Sequence, residues 1–415
     1  MKLNHIALKI GGATLIQSIG KFIAAGLSFI SVALLTRYLG TSGYGDFTLI
    51  FSYLAFFSLI SDFGLQLVTV KELASAKEKI ENLYGTYLGI KIALGIISSV
   101  LALIILFLFP YSNQLKIGIG IGVVAVFVSG MMGYFNSIFQ ARVRLDLITL
   151  FDLVSRFFSL ITIILFISLH LNFYYIVSTV LIGNLVSFLF AAVLLKDTVS
   201  NNYDFVLAKR LLFLSVPIGI TSLLSTLYFK VDTIILSLLR SATDVGIYSL
   251  SYKILENILV FWGFYMAATY PLLARYKSEK NSRYTTLLKS SVILALVSSI
   301  PIVIISFIFA PLAIYLFGGS QFVQSIIVLR ILLFSLPLLF LNNTFYNFYV
   351  IEEFNSVIIV GMTVSFIVNV YLNLIFIPKY SYIGASYVTI LSEVILLASY
   401  IVGLRFLKKE KTDGK

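Results

Sequence analysis

Apolar residues fill this chain in long runs of about 20 positions, the length a helix needs to cross a hydrocarbon core roughly 30 Å thick. Reading those runs against charged residues and Gly/Pro breaks predicts twelve helices, over 12–36, 47–69, 84–109, 117–139, 148–169, 173–195, 211–238, 247–273, 288–316, 322–349, 356–377 and 382–404. The polar stretch 196–210 is the longest in the middle of the chain and divides the helices six and six. The expected fold is therefore an all-α integral membrane protein, with an N-terminal six-helix lobe over 1–200 and a C-terminal one over 201–415. Superposing the halves with an offset of 201 aligns Gly45 with Gly246 and Phe47 with Tyr248, each pair closing a short turn before the second helix of its half. Two such repeats with a substrate path between them are a common transporter plan, although two unrelated glycine turns would align equally well.

Composition agrees with this class. The chain is 60% hydrophobic and 12% charged, with a mean hydropathy of +1.02, well outside the range of soluble domains. Lys2 and Lys9 precede the first apolar run and no small-residue cleavage site follows, so the first helix is expected to be retained. With no cysteine in the chain, disulfides, thiol catalysis and cysteine metal sites are excluded. Charge then orients the helices. An even number of spans puts both termini on one side, and the segments of that side hold twenty Lys and Arg, against only Arg37, Lys116, Arg240 and Lys379 on the other. The positive-inside rule makes the richer side cytoplasmic.

Six basic residues fall inside the spans, Lys21, Lys91, Arg156, Lys230, Lys253 and Arg330, together with five acids, Asp62, Asp152, Asp232, Glu256 and Glu393. An ionisable group at a helix centre costs about 2.5–3.5 kcal/mol on insertion scales, so these side chains are expected to face a bundle interior or a wet cavity. Counting along each helix places Lys21, Lys91, Arg156 and Asp62 in a cytoplasmic-half layer, and Lys230, Asp232, Lys253, Glu256 and Arg330 in an outer-half layer. Asp152 with Arg156 (i,i+4) and Lys253 with Glu256 (i,i+3) are spaced to pair on one helix face, whereas Lys230 and Asp232 (i,i+2) point apart and need partners elsewhere. A contact between Lys21 and Asp62 is expected across the first two helices. Taken singly, each charge reads either as a structural ion pair or as a functional group. As a set, the six cations read as the lining of a cavity for an anionic group, since Lys and Arg bind phosphate and Arg does so bidentately. Pro217, Pro301 and Pro337 lie inside predicted spans and mark either fixed bends or gating points.

The segment Thr36–Phe47, TRYLGTSGYGDF, packs Gly40, Gly43 and Gly45 with Ser42 and Asp46 into a tight turn between two apolar runs. Its Arg37-x-Leu39-Gly40-x-x-x-Tyr44-Gly45, the KELA at 71–74, the VDTIIL at 231–236 and the DVGIYSLSYKI at 244–254 together resemble the Wzx-type polysaccharide flippases. That branch shares a superfamily with MATE multidrug exporters and lipid II flippases. The resemblance implies a MATE-like fold in a bacterial or archaeal cytoplasmic membrane. It also implies translocation of a polyprenyl-diphosphate-linked oligosaccharide, such as an O-antigen, lipopolysaccharide, capsule or exopolysaccharide repeat unit, from the cytoplasmic to the outer leaflet by alternating access. It allows an H⁺ or Na⁺ coupling step at Asp62, Asp232, Glu256 or Glu393, and membrane lipids, a polysaccharide polymerase and chain-length machinery as partners. Gln17, Asn136, Gln140, Asn184, Asn257, Asn342, Asn343, Asn347, Asn369 and Asn373 could meet sugar hydroxyls or join helices.

Rival readings are a cation-exporting drug antiporter, which needs embedded acids where the first helix offers Lys21, and a lipid II flippase, whose family usually carries further C-terminal helices. A membrane polymerase or acyltransferase is a third. Only His5 and His170 are available as histidines, and no P-loop, metal-ligand cluster or Ser-His-Asp arrangement occurs, so neither an enzyme, a metal, a cofactor nor a nucleic-acid partner is expected.

Overall fold

The computed structural model describes residues 2–75, 80–195, 200 and 202–413, and among them every regular element is helical. In chain order these are α1 (Lys2–Asp62), α2 (Leu65–Ser75), α3 (Ile80–Leu106), α4 (Asn113–Ala141), α5 (Leu145–Ser168), α6 (Phe173–Leu194), α7 (Phe205–Leu239), α8 (Ala242–Ser278), α9 (Arg283–Gly318), a 3-10 turn (Ser320–Phe322), α10 (Ser325–Leu333), α11 (Leu336–Ile351) and α12 (Asn355–Asp413). Nine helices among the described residues are long and apolar enough to cross a membrane, and the bent pair α10–α11, at 47°, makes a tenth. α1 and α12 are each broken by one residue outside helical geometry, Gly40 (φ 68°) and Ser381 (φ 50°). Dividing them there gives the twelve expected spans. Connections predicted as loops thus shrink to single residues: of the whole glycine-rich turn 36–47, only Gly40, in the left-handed region open to glycine, departs from the helix.

Two expectations about helix interiors change. The second span is interrupted at Phe63 and Gly64, both with positive φ, so that Asp62 ends α1 instead of lying mid-helix. Pro337 sits in the first turn of α11, after the break at Ser335, where its missing N–H removes no intrahelical bond. Pro217 and Pro301 do lie inside helices, as do Pro271, Pro311 and Pro378.

The chain divides into two compact units, Met1–Leu39 with Asp46–Thr226, and Gly40–Gly45 with Leu227–Lys415. The division runs through α7, beyond the polar stretch, because Leu207, Ala208 and Leu211 are buried with Leu65, Leu83, Tyr134, Phe139 and Phe151 in the core of the first unit. Aromatic residues fill that core, with Tyr87 and Tyr134 centred 5.3 Å apart and Phe139 stacked on Phe151 at 5.5 Å. α5 and α6 approach closely at Gly183, where a Cβ would collide with Ser155 O and Ser159 Oγ, the small-residue contact expected of membrane helices. In the second unit Trp262 stacks on Phe340 at 4.8 Å, and a capping box between Ser241 and Asp244 starts α8. The aligned glycines Gly45 and Gly246 meet in this unit: a Cβ on Gly45 would lie 2.9 Å from Gly246 N and closer still to Ala242 O.

Candidate functional site

In the first unit Lys91 on α3 is 1% exposed and is bonded to Asp62. Asp62 ends α1, where the helix dipole disfavours a carboxylate, and the lysine offsets both charges. Tyr87, one turn before Lys91, holds the same face through a 2.7 Å hydrogen bond to Ser137. The sequence pairs Asp62 with Lys21; the structure pairs it instead with Lys91, the α3 cation expected in the same layer. Arg156 donates to both oxygens of Asp152 at 3.1 Å, and also to Ser28. Both members of that i,i+4 pair are nearly half exposed, so it contributes little to stability.

A cavity of about 430 Å³ opens inside the same unit. It brings Lys21 and Asp152 together with Gln17, Gln66, Asn136 and Asn184. Asn184 is fixed by Ser155, which donates to its Oδ1 at 2.9 Å, and by its own donation to Ala125 O at 3.2 Å.

In the second unit Lys230 on α7 donates to Glu256 Oε1 at 2.9 Å and Lys253 donates to Glu256 Oε2 at 3.3 Å. Two lysines thus share one carboxylate, leaving a surplus positive charge on side chains that are 31% and 43% exposed. Asp232 points the other way, as its i,i+2 spacing from Lys230 demands. It is buried and accepts from Asn373 Nδ2 at 2.8 Å, Tyr248 OH at 3.0 Å and Thr389 Oγ1 at 3.1 Å. Glu393 on α12 is also buried, accepting from Tyr228 OH and Asn342 Nδ2, each at 2.7 Å. Among the described residues neither acid has a basic partner. Arg330 is held on α9, donating to Phe307 O at 3.3 Å with its guanidinium 4.7 Å from the Phe307 ring centre.

The arrangement sorts the predicted cations. Lys91 and Arg156 are each matched by an acid, while the Lys230–Glu256–Lys253 group carries net positive charge and Arg330 rests on a carbonyl and a ring.

The family model described as polysaccharide biosynthesis protein matches residues 11–277, well over half of the sequence. The chain belongs to that family. A second model, MatE, matches 217–375. An uncharacterized membrane protein of Methanocaldococcus jannaschii, MJ1375, is 21% identical over 411 residues, covering 92% of this chain and 95% of that protein. The capsular polysaccharide biosynthesis protein CapF of Staphylococcus aureus is 26% identical over 195 residues, 46% of this chain and 49% of its own length. Two solved structures share the fold of this family member. One is a multidrug resistance MATE family transporter of the MOP superfamily, with a TM-score of 0.80 at 17% identity, covering 96% of this chain and 99% of that one. The other is the lipid II flippase MurJ, with a TM-score of 0.75 at 18% identity, covering 94% and 87%. The fold is the one these two membrane-protein structures share.

In the sequence reading of this polysaccharide biosynthesis family member Tyr248 entered only as the turn residue aligned with Phe47, and Tyr228 and Thr389 escaped it. A signal for them exists: Tyr228 with Asp232 and Thr389 with Glu393 are i,i+4 pairs, so each acid carries a hydrogen-bonding residue one turn away on its own helix face.

Proposed function

We propose that this protein moves a polyprenyl-diphosphate-linked oligosaccharide from the cytoplasmic to the outer leaflet by alternating access, with both termini cytoplasmic. The observation that carries this reading is the pair of lysines on Glu256. One carboxylate cannot neutralise two ammonium groups, and a diphosphate offers the missing negative charge together with several acceptor oxygens. Lys21, Lys91, Arg156, Lys230, Lys253 and Arg330 remain the proposed cationic set, and within it Lys230, Lys253 and Arg330 contact the phosphates, while Lys91 is matched by Asp62 and Arg156 by Asp152. Support for a glycan on that diphosphate comes from the family and from the likeness to CapF.

Asp232 and Glu393 are the proposed coupling residues, ahead of Asp62 and Glu256, whose charges lysines already offset. A proton or Na⁺ on either buried acid would neutralise a charge that no basic side chain balances, and so tie transport to an ion gradient.

Binding tests the anion assignment. Purified protein is offered a polyprenyl-diphosphate disaccharide, the corresponding neutral polyprenol and tetraphenylphosphonium, and complexes are counted by native mass spectrometry. Retention of the diphosphate lipid, weakened about tenfold by Lys253→Gln, is the expected result, one lost charge-assisted hydrogen bond being worth roughly 1.5–3 kcal/mol. Preference for tetraphenylphosphonium would replace this reading with a cation antiporter.

A further inference from the structure

The chemistry of the first-unit cavity differs from that of the lysine group. Its two charged side chains, Lys21 and Asp152, are opposite in sign, and the rest of the polar lining includes the amides Gln17, Gln66, Asn136 and Asn184. Amides present donors and acceptors side by side, which is what a ring of hydroxyls also presents, each hydroxyl giving one proton and accepting others. Asn136 lines the cavity as a half-buried amide whose Oδ1 has no hydrogen-bond partner, an acceptor that a turn of the side chain would present to an incoming O–H or N–H. Met132 and Ile148, both half-buried, supply an apolar wall for the C–H face of a sugar. At about 430 Å³ the space falls within the roughly 300–1,000 Å³ typical of small-molecule sites. A lipophilic cation would leave Asn136 Oδ1 without a donor at a desolvation cost, and a diphosphate would meet Asp152 as well as Lys21.

We infer that this cavity is a subsite for an uncharged sugar residue, a hexose or N-acetylhexosamine, built around the unpartnered Asn136 Oδ1 and separate from the groups that hold phosphate. The inference rests on the glycolipid reading given above and adds to it where the glycan sits.

Absence of cysteine from the chain makes protection labelling direct. Ser129 lines the cavity and is exposed, so Ser129→Cys gives a maleimide target there, and Val360→Cys, on an exposed position of α12, serves as the reference. Labelling rates are measured with chitobiose, maltose and lactose, with inorganic diphosphate, and with tetraphenylphosphonium. At least one neutral disaccharide is expected to slow labelling of Ser129→Cys in a saturable way and leave Val360→Cys unchanged. Adding Asn136→Ala should raise the half-protecting concentration about tenfold, the loss of one buried hydrogen bond. If none of the disaccharides protects while the unaltered chain flips the glycolipid, the subsite is wrong and the glycolipid reading stands. Protection by tetraphenylphosphonium alone, from a chain that flips no glycolipid, would overturn both.

Discussion

Tyr228 on α7 donates to Glu393 on α12 at 2.7 Å, and one turn along each helix the direction reverses, Thr389 of α12 donating to Asp232 of α7 at 3.1 Å. The two acids are thereby cross-linked to opposite helices in a buried strip where each oxygen already has a donor. Removing charge from one acid should leave the strip folded, because an amide keeps one acceptor oxygen for the asparagine donor and the tyrosine and threonine hydroxyls can turn to accept from its NH2. Asp232→Asn is expected to insert normally yet lose the dependence of transport on an imposed pH or Na⁺ gradient. Gradient dependence unchanged in both Asp232→Asn and Glu393→Gln would remove these acids from the coupling step.

The Lys91–Asp62 pair is expected to be structural. Lys91→Met leaves Asp62, one third exposed, without its cation, and breaking a buried pair this way costs about 3 kcal/mol or somewhat less. The double variant Lys91→Met, Asp62→Leu should recover most of the loss. Thermal unfolding followed by size-exclusion chromatography compares the three proteins; equal stability of the single and double variants would contradict the pairing.

Gly45 and Gly246 should tolerate no side chain. Each Cβ would run into backbone of the other segment, Ala242 O for Gly45 and Thr41 O for Gly246, and backbone cannot rotate away as a side chain can. Gly45→Val and Gly246→Val are expected to reduce the yield of folded protein sharply. Gly26, Gly120 and Gly263 have no neighbour within 4 Å of where a Cβ would lie, so alanine there should be neutral or stabilising by up to about 1 kcal/mol.

These cases show where sequence is informative. The spans were legible because apolar length and interrupting charges are properties of consecutive residues, and the Asp152–Arg156 and Lys253–Glu256 pairs because i,i+4 and i,i+3 neighbours meet on any helix. Lys230 could be read as needing a partner on another helix, but Glu256 could not be named, since interhelical partners depend on how helices rotate and cross. Asp62 shows the same limit, its partner Lys91 lying 29 residues away on α3. The strip around Asp232 was harder still: its tyrosines and threonine look apolar or neutral in a membrane sequence until two helices bring them to one carboxylate.

Orientation can be read within the second unit alone. Ser282 and Ser320, both exposed, lie at opposite ends of α9. Ser282→Cys should label with an impermeant maleimide only from the cytoplasmic side and Ser320→Cys only from outside. Labelling of both from the same side would overturn the assigned topology.

The most direct measurement of the central claim is flipping itself. Reconstituted protein is given a fluorescent polyprenyl-diphosphate disaccharide in the inner leaflet, and its arrival outside is followed by quenching. The unaltered chain is expected to move the lipid, and Lys253→Gln to do so about tenfold more slowly, one charge-assisted contact being lost. A chain that leaves the glycolipid in place while exchanging tetraphenylphosphonium for protons or Na⁺ would contradict the account.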